Sequence, residues 1–243
     1  MFLKLCKHEI KCTYKTFLIV YGLMLLTAYS ICAIMVNGSP YALTWVIMYT
    51  VMTIVTIVGT EILVFRAAYL SLFSKTGYLT NTLPVSTTTL FLSKVCVYSL
   101  WSILSFFIVL GSVFYIISAI PEFHLILDAM DYVGLVVFAF LFRLILSVVM
   151  ILFSLAMAQT KYVFSNSLFE SVFIFFFLDA GFDFIGKYLP DASFMSHPLL
   201  KEFMDEPILN QWATPLGICI TIVLIVVLSI LTIYIMKHKM ELE

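Results

Sequence analysis

The stretch from Phe65 to Lys94, FRAAYLSLFSKTGYLTNTLPVSTTTLFLSK, separates two long apolar runs and is itself too polar to lie in lipid. It carries Arg66, Lys75 and Lys94 and no acidic residue. Short loops with an excess of Lys and Arg stay on the cytoplasmic side, because their translocation across an energised membrane is disfavoured. Placing residues 66–94 inside orients the chain in both directions.

Upstream, an apolar run from Ala42 to Phe65 reads as a span. Thr50, Thr53, Thr56 and Thr60 recur along one face of it, and Glu61 stands near its inner end. Two readings of this stripe stay open. Thr53, Thr56 and Thr60 line a pathway or a subunit contact, or their hydroxyls bond back to the preceding turn. Asn37-Gly38-Ser39-Pro40 makes an outer turn, and residues 17–36 form the first span, too long for the core of a signal peptide. Before it, Leu3, Cys6, Ile10 and Tyr14 alternate at helical spacing with Lys4, Lys7, Lys11 and Lys15. Residues 1–16 therefore read as an amphipathic interfacial helix whose lysines meet anionic lipid.

Downstream, Gly77 and Pro84 punctuate the cytoplasmic loop, and Ser86 is placed to cap a helix starting at Thr87. The third span covers about 90–119, with Lys94 able to snorkel inward. An outer loop carries Glu122, Asp128 and Asp131 and no basic residue. A fourth span, 132–158, contains Arg143, and an inner loop holds Lys161. The fifth run, 167–185, is interrupted by Asp179 and Asp183, and Gly181, Gly186 and Pro190 weaken a continuous helix there. After the outer segment 186–213, a sixth span at 214–236 ends on Lys237-His238-Lys239. Of the 13 Lys and Arg, ten then fall inside, Lys187 and Lys201 outside, and Arg143 within a span. The expected fold is an all-α integral membrane protein of six transmembrane helices with both termini cytoplasmic, in a bacterial plasma membrane.

Composition supports this class. The 243 residues are 63% hydrophobic and 11% charged, with a mean hydropathy of +1.12, against roughly 45–50% apolar in soluble domains. No room is left for a soluble catalytic domain of ~100 residues. The net charge of −1 has no basic stripe behind it of the kind that tracks phosphates, so nucleic acid is not an expected partner. The five cysteines, Cys6, Cys12, Cys32, Cys96 and Cys219, fall in spans or cytoplasmic ends and imply no disulfide framework.

Two motifs are accidental. Gly181 to Lys187, GFDFIGK, matches a phosphate loop as far as its lysine, but Tyr188 replaces the hydroxyl residue and no strand precedes it. His8-Glu9-Ile10-Lys11-Cys12 approximates a zinc-protease signature without a third ligand. No nucleophile elbow is present, so no catalytic residue and no metal site are assigned. The unusual residues are Glu61, Arg143, Asp179 and Asp183, since charges within spans face a partner or a cavity. Counted from the inner ends of their spans, Arg143 lies about 22 Å deep and the aspartates about 18 and 24 Å. Arg143 is thereby expected to pair with Asp179 or Asp183, unless the fifth span breaks near Leu178 and leaves both in an outer vestibule.

The opening Leu3-Cys-Lys-His-Glu-Ile-Lys11, and Gly77-Tyr-Leu-Thr-Asn-Thr-Leu-Pro-Val-Ser86 followed by Leu90 and Ser93-Lys94, resemble ABC-2 type transporter permeases, most closely the single-domain subunits of Gram-positive bacteria. Thr76 stands where relatives commonly carry an acidic residue. The resemblance implies a membrane subunit without enzymatic activity, paired with an identical or similar permease and with two copies of a separate ATPase that holds ATP and Mg. It assigns ATPase coupling to Tyr69, Lys75, Gly77, Tyr78, Leu83, Pro84, Val85 and Ser86. It also makes Thr53, Thr56 and Thr60 pathway-lining, 186–213 re-entrant, and export of a hydrophobic or amphipathic substrate the activity. Alternatives are an ion-coupled secondary transporter relaying through Arg143, Glu170, Asp179 and Asp183, or a regulatory membrane subunit.

Overall fold

A computed structural model describes residues 2–36, 42–72, 86–118, 130–160, 167–188 and 214–238. They form six helices: α1 (Phe2–Val36), α2 (Ala42–Leu72), α3 (Thr87–Ile117), α4 (Met130–Ala158), α5 (Ser167–Gly186) and α6 (Pro215–His238). All but α5 are long and apolar enough to cross a membrane. The chain is a helical, multi-pass membrane protein. Helix is the form such sequences take in lipid, because every backbone N–H and C=O is then satisfied within its own segment.

Local signals set the helix starts. Ser86 accepts a hydrogen bond from the Thr89 amide at 3.3 Å, and its carbonyl accepts the Leu90 amide at 3.1 Å, so it is the N-cap expected for α3. Thr214 does the same for α6 through the Gly217 amide at 3.0 Å, with Pro215 in the first helical position. The interfacial helix and first span expected as separate pieces are one 35-residue helix. The reason is local: no Pro stands anywhere between Phe2 and Val36, and the first glycine is Gly22.

The chain divides into two compact units, residues 1–67 with 96–128 and residues 68–95 with 129–243. In the first, α1 and α3 run parallel: Glu9 meets Tyr98, Thr13 meets Trp101, and Tyr21 meets Ser105. Helix α2 runs against them, since Tyr49 meets Ser112 while Thr60, further along, meets Ser105. A small cluster of Ala28, Ile31 and Ile116, flanked by Trp45 and Tyr49, packs the far end of this bundle.

In the second unit α4 lies between α5 and α6 and contacts both. Its Leu146, Val149 and Met150 form a core with Phe182 of α5 and Leu228 of α6, and Val95 packs against it. From Leu146 to Ala158 α4 is buried on nearly all sides. An apolar sequence around the whole circumference is what such a central helix requires.

Candidate functional site

Three groups of residues carry the chemistry that the described structure holds. The first is the charged cluster of the second unit. Arg143 on α4 donates through Nη2 to Asp179 Oδ1 on α5, and the same nitrogen lies 3.7 Å from Asp183 Oδ1. The guanidinium also stands 4.4 Å above the Phe182 ring, within the range of a cation–π contact. Asp179 and Asp183, one helical turn apart, thus flank a single arginine. Helix α5 runs unbroken through both to Gly186. Of the two alternatives, the pair rather than a break near Leu178 is what the structure has, because each aspartate reaches Arg143 without leaving the helix. Gly181 causes no break either: it sits on an exposed face, where a Cβ would meet nothing within 4 Å.

Glu170, a member of the expected relay, does not join this cluster. It precedes Asp179 by nine residues, roughly two and a half turns, which puts it on the opposite side of α5. Both its carboxylate oxygens are buried and accept no hydrogen bond among the described residues.

The second group is the threonine stripe of α2. Thr53, Thr56 and Thr60 each donate to the carbonyl four residues back, at 2.9, 2.8 and 2.6 Å, and Thr50 does likewise. Thr56 and Thr60 are buried, and Thr60 Oγ1 also lies 2.8 Å from Ser105 Oγ. The hydroxyls thus bond backward, and the Thr56–Thr60 end of the stripe is turned toward protein within the first unit. Glu61, beside Thr60, is half-buried.

The third group is a ladder between α1 and α3 that sequence reading did not single out. Tyr98 donates to Glu9 Oε2 at 3.3 Å and Trp101 Nε1 to Thr13 Oγ1 at 3.0 Å. Tyr21 donates to the Trp101 carbonyl at 3.0 Å and lies 2.7 Å from Ser105 Oγ. Phe17 stacks on Trp101 with ring centroids 4.6 Å apart and planes 2° from parallel. Residues 9, 13, 17 and 21 share a face at four-residue spacing, a signal present in the sequence but overshadowed by the lysines opposite. Lys4, Lys7, Lys11 and Lys15 are all exposed.

At the segment between α2 and α3, Ser86 caps α3 and Tyr69 is half-buried on α2. Lys75, Gly77, Tyr78, Leu83, Pro84 and Val85 lie outside the described residues, as does most of 186–213. Lys94, expected to snorkel, is instead only 1% exposed. It shares the inner face of α3 with Leu90, Phe91 and Val97, all buried, and is drawn into the protein with them. Comparison with family models, curated proteins and solved structures finds no match to the chain.

Proposed function

We propose that this chain is the transmembrane subunit of an ABC-2 type exporter, driven by a separate ATPase and working as a homodimer or with a similar permease. The observation that carries this reading is the segment Gly77–Ser86, GYLTNTLPVS, set between two membrane helices and closed by the Ser86 cap. The one phosphate-loop-like pattern in the sequence, Gly181–Lys187, lacks its hydroxyl residue, whereas Gly77–Ser86 belongs to the longest basic inner segment. Energy from ATP would enter there and tilt α2 and α3 as levers between inward-open and outward-open states.

In this reading α5 is also a span, the fifth along the chain, which brings their number to six. Its 20 residues make about 30 Å of helix, the thickness of the hydrocarbon core. Arg143 offsets the acidic charge that otherwise sets α5 apart from the other spans. Both termini are then cytoplasmic, in a bacterial plasma membrane, and Tyr69 and 75–86 face the ATPase. A hydrophobic or amphipathic substrate suits the exposed aromatic face of α5, where Phe169, Phe173, Phe176, Phe177 and Phe184 line up at helical spacing. The ion-coupled alternative is weakened by Glu170, which stands across α5 from Asp179 and breaks the relay.

The test is vanadate-sensitive ATP hydrolysis by the reconstituted complex. Replacing Leu83-Pro84-Val85 with Gly-Gly-Gly abolishes stimulation by the permease while leaving its membrane insertion intact. Unchanged turnover in that variant refutes coupling through this segment.

A further inference from the structure

Helices α1 and α3 of the first unit are tied together at two levels and part between them. Tyr21 binds Ser105 at one end, and Ala28, Ile31 and Ile116 close the other. Between these ties lies a cleft of about 450 Å³, lined by Leu25, Ala28 and Tyr29 of α1 and Phe107, Gly111 and Tyr115 of α3. Its cause is small side chains: Gly111 faces it, and a Cβ built there meets nothing within 4 Å. A glycine on a membrane helix usually lets a neighbouring helix approach closely. Gly111 does the opposite and leaves space.

The cleft is apolar. Ser112 also borders it, but its hydroxyl is engaged, donating to the Val109 carbonyl at 2.7 Å and lying 2.8 Å from Tyr49 Oη. A cavity with so few polar groups does not hold ordered water, and an empty one forfeits the dispersion contacts of its walls. The two tyrosines are exposed and stand toward one end, the end of the bundle that carries residues 36 and 117. Aromatic residues with a polar tip take that position at a membrane–water boundary.

Size selects the occupant. The lining of α3 from Phe107 to Tyr115 runs about 12 Å along the helix. A partner helix about 10 Å across laid over that length has roughly twice the cleft's volume and reaches into it only with its side chains, whereas a single hydrocarbon chain is slender enough to enter whole. We infer that the α1–α3 cleft is a binding site for one acyl chain of a membrane phospholipid, with the headgroup beside Tyr29 and Tyr115. On the topology proposed above this lipid belongs to the outer leaflet. The site itself does not rest on the transport reading.

The test reconstitutes the full chain in phosphatidylglycerol vesicles containing a phosphatidylglycerol with a diazirine in its acyl chain, and maps photolabelled peptides by mass spectrometry. Label concentrates on the peptides carrying Leu25–Tyr29 and Phe107–Tyr115, above the equally apolar exposed surface of α6. Gly111→Phe, which fills the cleft from α3, or Leu25→Trp, which fills it from α1 at an exposed position, loses that excess. Either variant suffices if it elutes as the parent does on gel filtration. Label spread evenly over exposed apolar helices, or an excess that survives filling, overturns the site. So does protection of the cleft with cross-linking between copies through Gly111→Cys, which gives the space to a second chain.

Discussion

Arg143 and Asp179 join α4 to α5 by an ion pair, with Asp183 second in line at 3.7 Å. Each side chain is about a third exposed or less, 26% for Arg143 and 32% for Asp179. The pair is therefore incompletely enclosed, and breaking it costs less than the 3–5 kcal/mol typical of complete burial, because a charge freed at a partly open site can snorkel or draw in water. Arg143→Asp lowers thermal stability by about 1–3 kcal/mol, and Asp179→Arg does likewise. The double exchange recovers most of the folded yield, measured by fluorescence-detected gel filtration. Equal loss in single and double variants contradicts a functional pair.

Asp183 is a reserve partner. Asp179→Asn leaves Arg143 able to turn to it, so this single change costs less than Arg143→Gln, which strands both carboxylates. Melting curves of the two variants in one lipid mixture give the order.

Trp101 unites a stack and a hydrogen bond, and the two separate by substitution. Trp101→Phe keeps a ring over Phe17 but loses the bond to Thr13, at a cost of about 1 kcal/mol. Phe17→Ala removes a fully buried ring and costs about 3–5 kcal/mol. A small effect of Phe17→Ala, read by denaturant or thermal unfolding, contradicts the α1–α3 ladder.

The threonines of α2 are not equivalent. Thr60→Val breaks the contact with Ser105 and destabilises by about 0.6–1.7 kcal/mol, the range for hydrogen bonds between membrane helices. Thr50→Val removes only a bond within its own helix at an exposed position and changes stability by less than about 0.5 kcal/mol.

Lys94 distinguishes burial from snorkelling. In a cysteine-free background, Lys94→Cys resists a water-soluble thiol reagent, while Ser86→Cys, exposed at the helix cap, reacts. Rapid labelling at 94 places this side chain at the membrane surface.

Much of this architecture is written locally. Apolar runs bounded by turns mark the helices, Ser86 marks the start of α3, and the depth of Arg143 against Asp179 and Asp183 brings those three together. What escapes sequence reading depends on which face of a helix meets which neighbour. Glu9 looks like one more surface charge among lysines until Tyr98 is found against it, and Lys94 looks free to reach water until its own helix face is buried. The join of residues 1–16 to the first span has a related origin: a change from amphipathic to apolar composition does not break a helix that contains no breaker. The alternative of a break in α5 rests on its aspartates and glycines alone, and Arg143 is what lets the helix run through them.

The most direct test of the permease assignment is to express the intact chain with an ATPase encoded beside its gene and purify through a tag on the chain alone. The predicted result is a complex with two ATPase copies per pair of permeases that hydrolyses ATP in a vanadate-sensitive manner. A stable, folded chain that retains no ATPase, yet moves solute in vesicles on a proton gradient, contradicts it.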